Sequence, residues 1–202
     1  CLGEEEEDFI TTHYLRDLAE QAGCETRFVD LEDIGWYAAQ DCFADEQDRC
    51  IRHLFKLYPW EWMIEHEFGR YLLRDTLRCI VEPPWKALLS NKAILPILWE
   101  LYPEHPNLLP ATFEPHALRG PCVSKTLFGR EGRQVVPWPD PSAFQRDART
   151  GTDPVIFQAW QPLPCFAGHY PMVGAWVVGD APAGIGIRES RTLITGDDSV
   201  FV

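Results

Sequence analysis

Apolar positions at Phe9, Ile10, Tyr14, Leu15, Leu18, Ala19 and Ala22 recur at helical spacing and stop at Gly23, behind an acidic run at residues 4–8. Carboxylates suit a helix N-terminus and glycine suits its exit, so the pattern predicts one helix with a glycine stop. Residues 26–31 are expected to form a short strand, and Gly35, Asp41 and Asp45 mark loops. Residues 50–57, with Ile51-Arg52-His53-Leu54-Phe55-Lys56-Leu57, read as another strand. Met63, Ile64, Phe68, Tyr71 and Leu72 then share one face of a helix predicted to run to residue 77, and the rings of Trp60 and Trp62 before it read as core filling. Cys79-Ile80-Val81 is a brief buried strand that Glu82-Pro83-Pro84-Trp85 ends in extended conformation. Strand, helix and strand in succession predict an α/β layer, the tail of a doubly wound sheet.

Ser90 or Asn91 is placed to cap a helix carrying Ala93, Ile94, Ile97 and Leu98 as far as Leu101, within which Pro96 must bend or confine the chain. Lys92 falls in its first turn, where the helix dipole gives a cation no help. A proline-rich connector at 103–110 divides the expected halves, 1–105 and 106–202. Beyond it come short alternating runs at 122–127, 134–136, 155–160, 172–178, 183–187 and 192–194, with a Gly179-Asp180 turn. They predict an antiparallel sheet, with residues 137–153 as a mobile polar insertion. The expected class is α/β (α+β), an α/β layer followed by a mainly antiparallel half.

With 202 residues, 46% of them hydrophobic, the chain has apolar material for one large domain or two small ones. A formal charge of -13 argues against nucleic acid or an anionic membrane as the main partner. No apolar run approaches the ~18 to 20 residues of a membrane span, and nothing resembles a secretory leader. Seven widely spaced cysteines without a CxxC pair read as reduced thiols of a cytoplasmic protein, and the spacing of Cys42, Cys50 and His53 fits no zinc pattern. A start at Cys1 without an initiator methionine, and an end straight after Val200-Phe201-Val202, are expected of a piece of a longer protein.

Against that negative background, the run Val123-Ser124-Lys125-Thr126-Leu127-Phe128-Gly129-Arg130-Glu131-Gly132 delivers one lysine into a loop with two glycines. An ammonium beside backbone N–H groups is a way to hold phosphate, although the spacing is not that of a P-loop. Lys92 is a second candidate for an anion. Residues 157–164, a strand entering a proline-rich exit, can offer backbone groups and an aromatic wall to the edge of an adenine. Arg188, leaving the small-residue run Gly184-Ile185-Gly186-Ile187, can clamp an anion at two points.

The strings Lys56-Leu57-Tyr58-Pro59-Trp60-Glu61-Trp62, Glu82-Pro83-Pro84-Trp85, Ser90-Asn91-Lys92-Ala93-Ile94-Leu95-Pro96-Ile97-Leu98-Trp99, the loop around Lys125, Trp176-Val177-Val178-Gly179 and Gly184-Ile185-Gly186-Ile187-Arg188-Glu189 occur here in a fixed order. Together they resemble the glutathionylspermidine synthase-like proteins of the ATP-grasp superfamily over nearly the whole chain. The resemblance implies an ATP-grasp-like fold, a partial pre-ATP-grasp layer before the sheet, and an ATP-dependent carboxylate-amine ligase acting through an acyl phosphate. ATP and magnesium are the implied cofactors, and a small-molecule or peptide carboxylate and an amine the implied partners.

By similarity, Lys92 and Lys125 would hold the ATP phosphates, and Gly129 and Gly132 would lie in the loop that covers them. Ala159, Trp160, Gln161 and Pro162 would meet the adenine, Leu193 and Ile194 would line its pocket, and Arg188 would steady the phosphoryl transfer. The family's magnesium-binding Arg-x-Asp and Glu-x-Asn segments have no match here and are expected before Cys1. The amidase domain of some synthases has no counterpart either. A module that keeps the fold and has lost turnover, serving nucleotide binding or protein interaction, is the alternative. A kinase-like reading is weaker, since no HRD-type or DFG-type string occurs.

Overall fold

The computed structural model describes residues 6–74, 76–145 and 150–202. Glu4 and Glu5 of the acidic run, and residues 146–149 of the expected mobile insertion, lie outside the described residues. The chain divides into two compact units, Cys1–Leu88 and Leu89–Val202, so the helix before the proline connector groups with the second.

The first unit opens with α1 (Glu6–Gln21), whose Glu6, Glu7 and Asp8 sit in the first turn as the dipole favours. Its exit is the predicted one: the N–H groups of Gly23 and Cys24 donate to the carbonyls of Glu20 and Ala19, which satisfies the last turn. Among the described residues, residues 26–30 have no strand partner, and Leu31 already belongs to a 3-10 turn. Phe28 packs its ring on Phe9 and His13, and Asp30 caps a 3-10 turn at Leu31–Asp33. A hairpin of β1 (Gly35–Tyr37) and β2 (Cys42–Ala44) follows.

After β2 the chain folds back on itself. The turn is built on Asp45, which accepts hydrogen bonds from the Gln47 and Arg49 N–H groups and ion-pairs with Arg27 and Arg49. The Arg49 hydrogen bond holds the Asp45 carboxyl below its usual range. The return brings Cys50 alongside β2 with its Cα 5.8 Å from that of Cys42, and the two are joined as a disulfide. This corrects the expectation that all the cysteines are reduced thiols. Spacing along the chain carries no trace of the turn that makes them neighbours.

β3 (His53–Phe55) runs parallel to β4 (Cys79–Val81), the pairing that a strand-helix-strand unit requires. Among the described residues that parallel pairing extends to these two strands and no further, short of the expected doubly wound sheet. The connection is also broken: α2 (Trp60–Glu65) stops at His66, which is extended, and a 3-10 turn at Gly69–Leu73 resumes. Trp60 is buried, its indole N–H donating to the Glu82 carbonyl, but Trp62 is about half exposed and fills no core. The short helix α3 (Ala87–Ser90) carries the chain onward.

The second unit begins with α4 (Ile94–Leu101), where the Asn91 side chain accepts from the Ala93 N–H just ahead of the first turn. Pro96 is the third residue of this helix, a position whose N–H has no intrahelical acceptor, so it neither bends nor breaks it. The helix packs on β5 (Ala111–Thr112), the edge of an antiparallel sheet containing β6 (Cys122–Thr126), β7 (Val136–Trp138) and β8 (Val155–Ala159) in the order β5-β8-β6-β7. Alternation sorts the faces. Cys122, Val136, Trp138 and Phe157 form a buried cluster with Leu118, Phe144 and Val155, into which the Ser124 hydroxyl is tied by the Trp138 indole N–H.

β9 (Tyr170–Val178) and β10 (Ala181–Ser190) make a long hairpin through the predicted Gly179-Asp180 turn, and β11 (Val200–Phe201) joins its other edge. Residues 192–194, expected as a strand, are instead a bend, because Thr192 turns its N–H and hydroxyl onto Ser190 and Ile194. Among the described residues no helix is long and apolar enough to cross a membrane.

Candidate functional site

Lys125 is the fourth residue of β6, opposite Ile156 of β8. With Val123 and Gln158 it occupies the sheet face away from the Trp138 cluster. That face is not open either, since Val123, Ile156 and Gln158 are buried. The lysine itself is half-buried, and its ammonium donates a 2.7 Å hydrogen bond to the Gln158 side-chain oxygen.

Lys92 comes from the turn before α4. Its backbone N–H donates to the Leu127 carbonyl at 2.8 Å, which fastens that turn to the end of β6, and its ammonium donates to the Gly129 carbonyl. The two cations are near enough to oppose each other. Burial, and after it the Lys92 charge, depress the Lys125 ammonium below the ordinary lysine range. Among the described residues no carboxylate offsets the charge of Lys125.

The loop from Leu127 to Val135 is held by a series of backbone turns, Gly129 to Thr126, Arg133 to Arg130 and Val135 to Gly132. Gly129 lies directly on the Thr126 hydroxyl, which is buried and has no hydrogen-bond partner among the described residues. Gly132 has φ +70°, and a Cβ there would sit 2.7 Å from the Thr195 carbonyl and 2.8 Å from an Ile194 methyl. Only glycine meets both demands, and the close approach joins the loop to the bend after β10. Lys92, Lys125, Gly129, Gly132 and Ile194 are thus one contiguous group.

The remaining predicted residues stand differently. Ala159 and Trp160 continue β8 beyond Gln158, but their N–H groups already donate to the carbonyls of Pro110 and Pro121. Neither N–H is open to an adenine edge, contrary to the expectation that this segment presents both kinds of backbone group. Gln161 and Pro162 are exposed, as is Leu193. Arg188 pairs in register with Met172 and Phe201, and its guanidinium lies over the Phe201 ring at 5.9 Å. Its contacts among the described residues include neither lysine.

Sequence reasoning placed Gln158 only within the segment offered to an adenine and missed its bond to Lys125, and it missed the Leu127 and Gly129 carbonyls. The first was readable in principle, because a polar side chain at the alternation position shared with Lys125 must find a partner. The carbonyls have no side-chain signal. Among the described residues no group of three His, Cys, Asp or Glu side chains is placed to hold a metal ion.

Two ammonium groups, that of Lys125 bonded to a neutral amide, beside a loop whose Gly129 and Gly132 leave no room for a side chain, form an arrangement whose chemistry suits a multiply charged anion. The chain itself is similar to known proteins. A model of the glutathionylspermidine synthase preATP-grasp family matches residues 1–202. A Haemophilus influenzae protein carrying the name acid–amine ligase is 41% identical over 97% of this chain and 52% of its own length. The trypanothione synthetase of Crithidia fasciculata is 30% identical over 98% of the chain and 34% of its own. The bifunctional glutathionylspermidine synthetase/amidase of Escherichia coli is 26% identical over 96% and 35%. The chain spans about half the length of the first of these relatives and about a third of the other two. A match along all 202 residues, carried by a fold of mixed α/β layers and antiparallel sheets, establishes that this chain belongs to the glutathionylspermidine synthase preATP-grasp family.

Proposed function

We propose that the chain is the part of an ATP-dependent carboxylate-amine ligase that holds the triphosphate, and that the ligation passes through an acyl phosphate. The observation that supports this reading is the proximity of two cations, Lys92 bonded to the Gly129 carbonyl of the glycine loop and Lys125 bonded to Gln158 and within reach of the Lys92 charge. A carboxylate is a poor electrophile, and ATP supplies the phosphoryl group that activates it when bound. The role of this chain's residues is electrostatic: Lys92 and Lys125 bind and orient the phosphates, Gly129 and Gly132 let the loop approach them, and the buried sheet face keeps water from the cations. Ala159, Trp160, Gln161 and Pro162, with Leu193 and Ile194, are assigned to the adenine, through side chains and carbonyls in place of the two committed N–H groups. Arg188 is assigned to the transferring phosphoryl group, which requires it to leave the Phe201 ring. Magnesium is expected with the nucleotide, held outside the described residues. The substrates in this reading are a small-molecule or peptide carboxylate and an amine, a pairing that the name acid–amine ligase of the Haemophilus influenzae relative supports.

Turnover separates this reading from a fold that has kept only binding. ADP release by the full-length protein is expected to require magnesium, an acid and an amine together, and to fall by about tenfold or more in Lys125→Ala. ADP release with no dependence on an amine contradicts ligation, and ATP binding without any turnover identifies the inactive module.

A further inference from the structure

The inner strands β6 and β8 are largely buried on both faces, yet one of those faces carries an ammonium. The way that charge is held is the informative part. Gln158 stands opposite Val123 in the register, so it is the diagonal neighbour of Lys125, a separation long side chains span readily. It is only 8% exposed, and its side-chain oxygen accepts the Lys125 proton at 2.7 Å. An acceptor at this position could equally have been a carboxylate, which has the same shape and makes the stronger bond to an ammonium. A carboxylate would also cancel the charge. The amide fixes the direction of the side chain and leaves the cation's net charge, and two of its three N–H donors, for another group.

We propose that Gln158 is a positioning residue: it anchors Lys125 through a neutral acceptor, so that the full positive charge is presented to the phosphates of the nucleotide. The Lys92 charge acts on Lys125 as well, and an anion bound beside Lys125 would relieve that repulsion. The inference rests on the nucleotide reading given above and adds to it a residue, and a reason for its being an amide.

The test compares Gln158→Glu and Gln158→Met with the wild type in calorimetric titrations with ATP, with circular dichroism and thermal unfolding on each protein. Glutamate keeps the shape and the anchor but neutralises the lysine; methionine removes the anchor and leaves the charge. The expected order of ATP affinity is wild type, then Gln158→Met, then Gln158→Glu, with the glutamate variant weaker than wild type by about tenfold or more and folded to the same extent. A purely structural role predicts the opposite order, because the isosteric glutamate disturbs packing least, and ATP binding by Gln158→Glu equal to that of the wild type overturns the inference alone. A wild type that does not bind ATP overturns the nucleotide reading and this inference with it. Should Gln158→Glu not fold, Gln158→Met carries the decision: weakened ATP binding with unchanged affinity for adenosine supports the anchor, and undiminished ATP binding refutes it.

Discussion

Lys125, the lysine at the centre of the proposed site, is held in the folded protein at a cost. Its charge is partly buried and pushed by Lys92, so the folded state releases the proton at lower pH than the unfolded chain, whose lysine titrates near 10.5. Between those two values the unfolded state binds more protons, and stability rises with pH there; below them the penalty is constant and fully present. Lys125→Met removes the charge and keeps the length. It is predicted to unfold at a higher temperature than the wild type at neutral pH, with the gap narrowing as pH climbs towards 10.5. Thermal melts across that range check the point; a gap that stays constant, or a less stable variant at neutral pH, contradicts it. The same residue was visible in the sequence as a lysine entering a glycine loop. Its partner was not, because the bond to Gln158 crosses strands 33 positions apart.

Elements whose side chains alternate or recur over several turns were legible in the sequence: α1 with its glycine exit, β6, β8 and the β9–β10 hairpin lie where the pattern puts them. Elements fixed by tertiary contacts were not. Residues 26–31 lost their strand to ring packing on α1, and the helix expected up to residue 77 was cut at His66. The Cys42–Cys50 bridge depends on a turn whose cause is the Asp45 carboxylate, a residue that composition marks only as a loop former. The bridge closes a short loop, and constraining such a loop in the unfolded chain is worth about 2.5 kcal/mol. Denaturant unfolding is therefore expected to show the wild type losing stability of that order on adding reductant, and Cys50→Ser losing it without reductant and nothing further with it. An equal response of both proteins to reductant contradicts the bridge.

At the scale of the whole molecule, a chain with a formal charge of -13 repels a triphosphate at long range, so any site for one must gather its few cations tightly. In the proposed site those cations are Lys92 and Lys125, from segments 33 residues apart that meet because Lys92 is fastened by its backbone to the end of β6. The sequence strings pointed to both lysines through family resemblance, and the physical reason for their meeting lies in main-chain bonds that no side-chain pattern records. Lys86 provides the contrast: it is ion-paired with Glu82 in the first unit, its charge already answered. The most direct measurement is calorimetric titration of ATP into the wild type, Lys125→Ala and Lys86→Ala. A loss of about tenfold or more for Lys125→Ala, with Lys86→Ala binding as the wild type does, is the predicted result; equal affinities for all three proteins would contradict the triphosphate site.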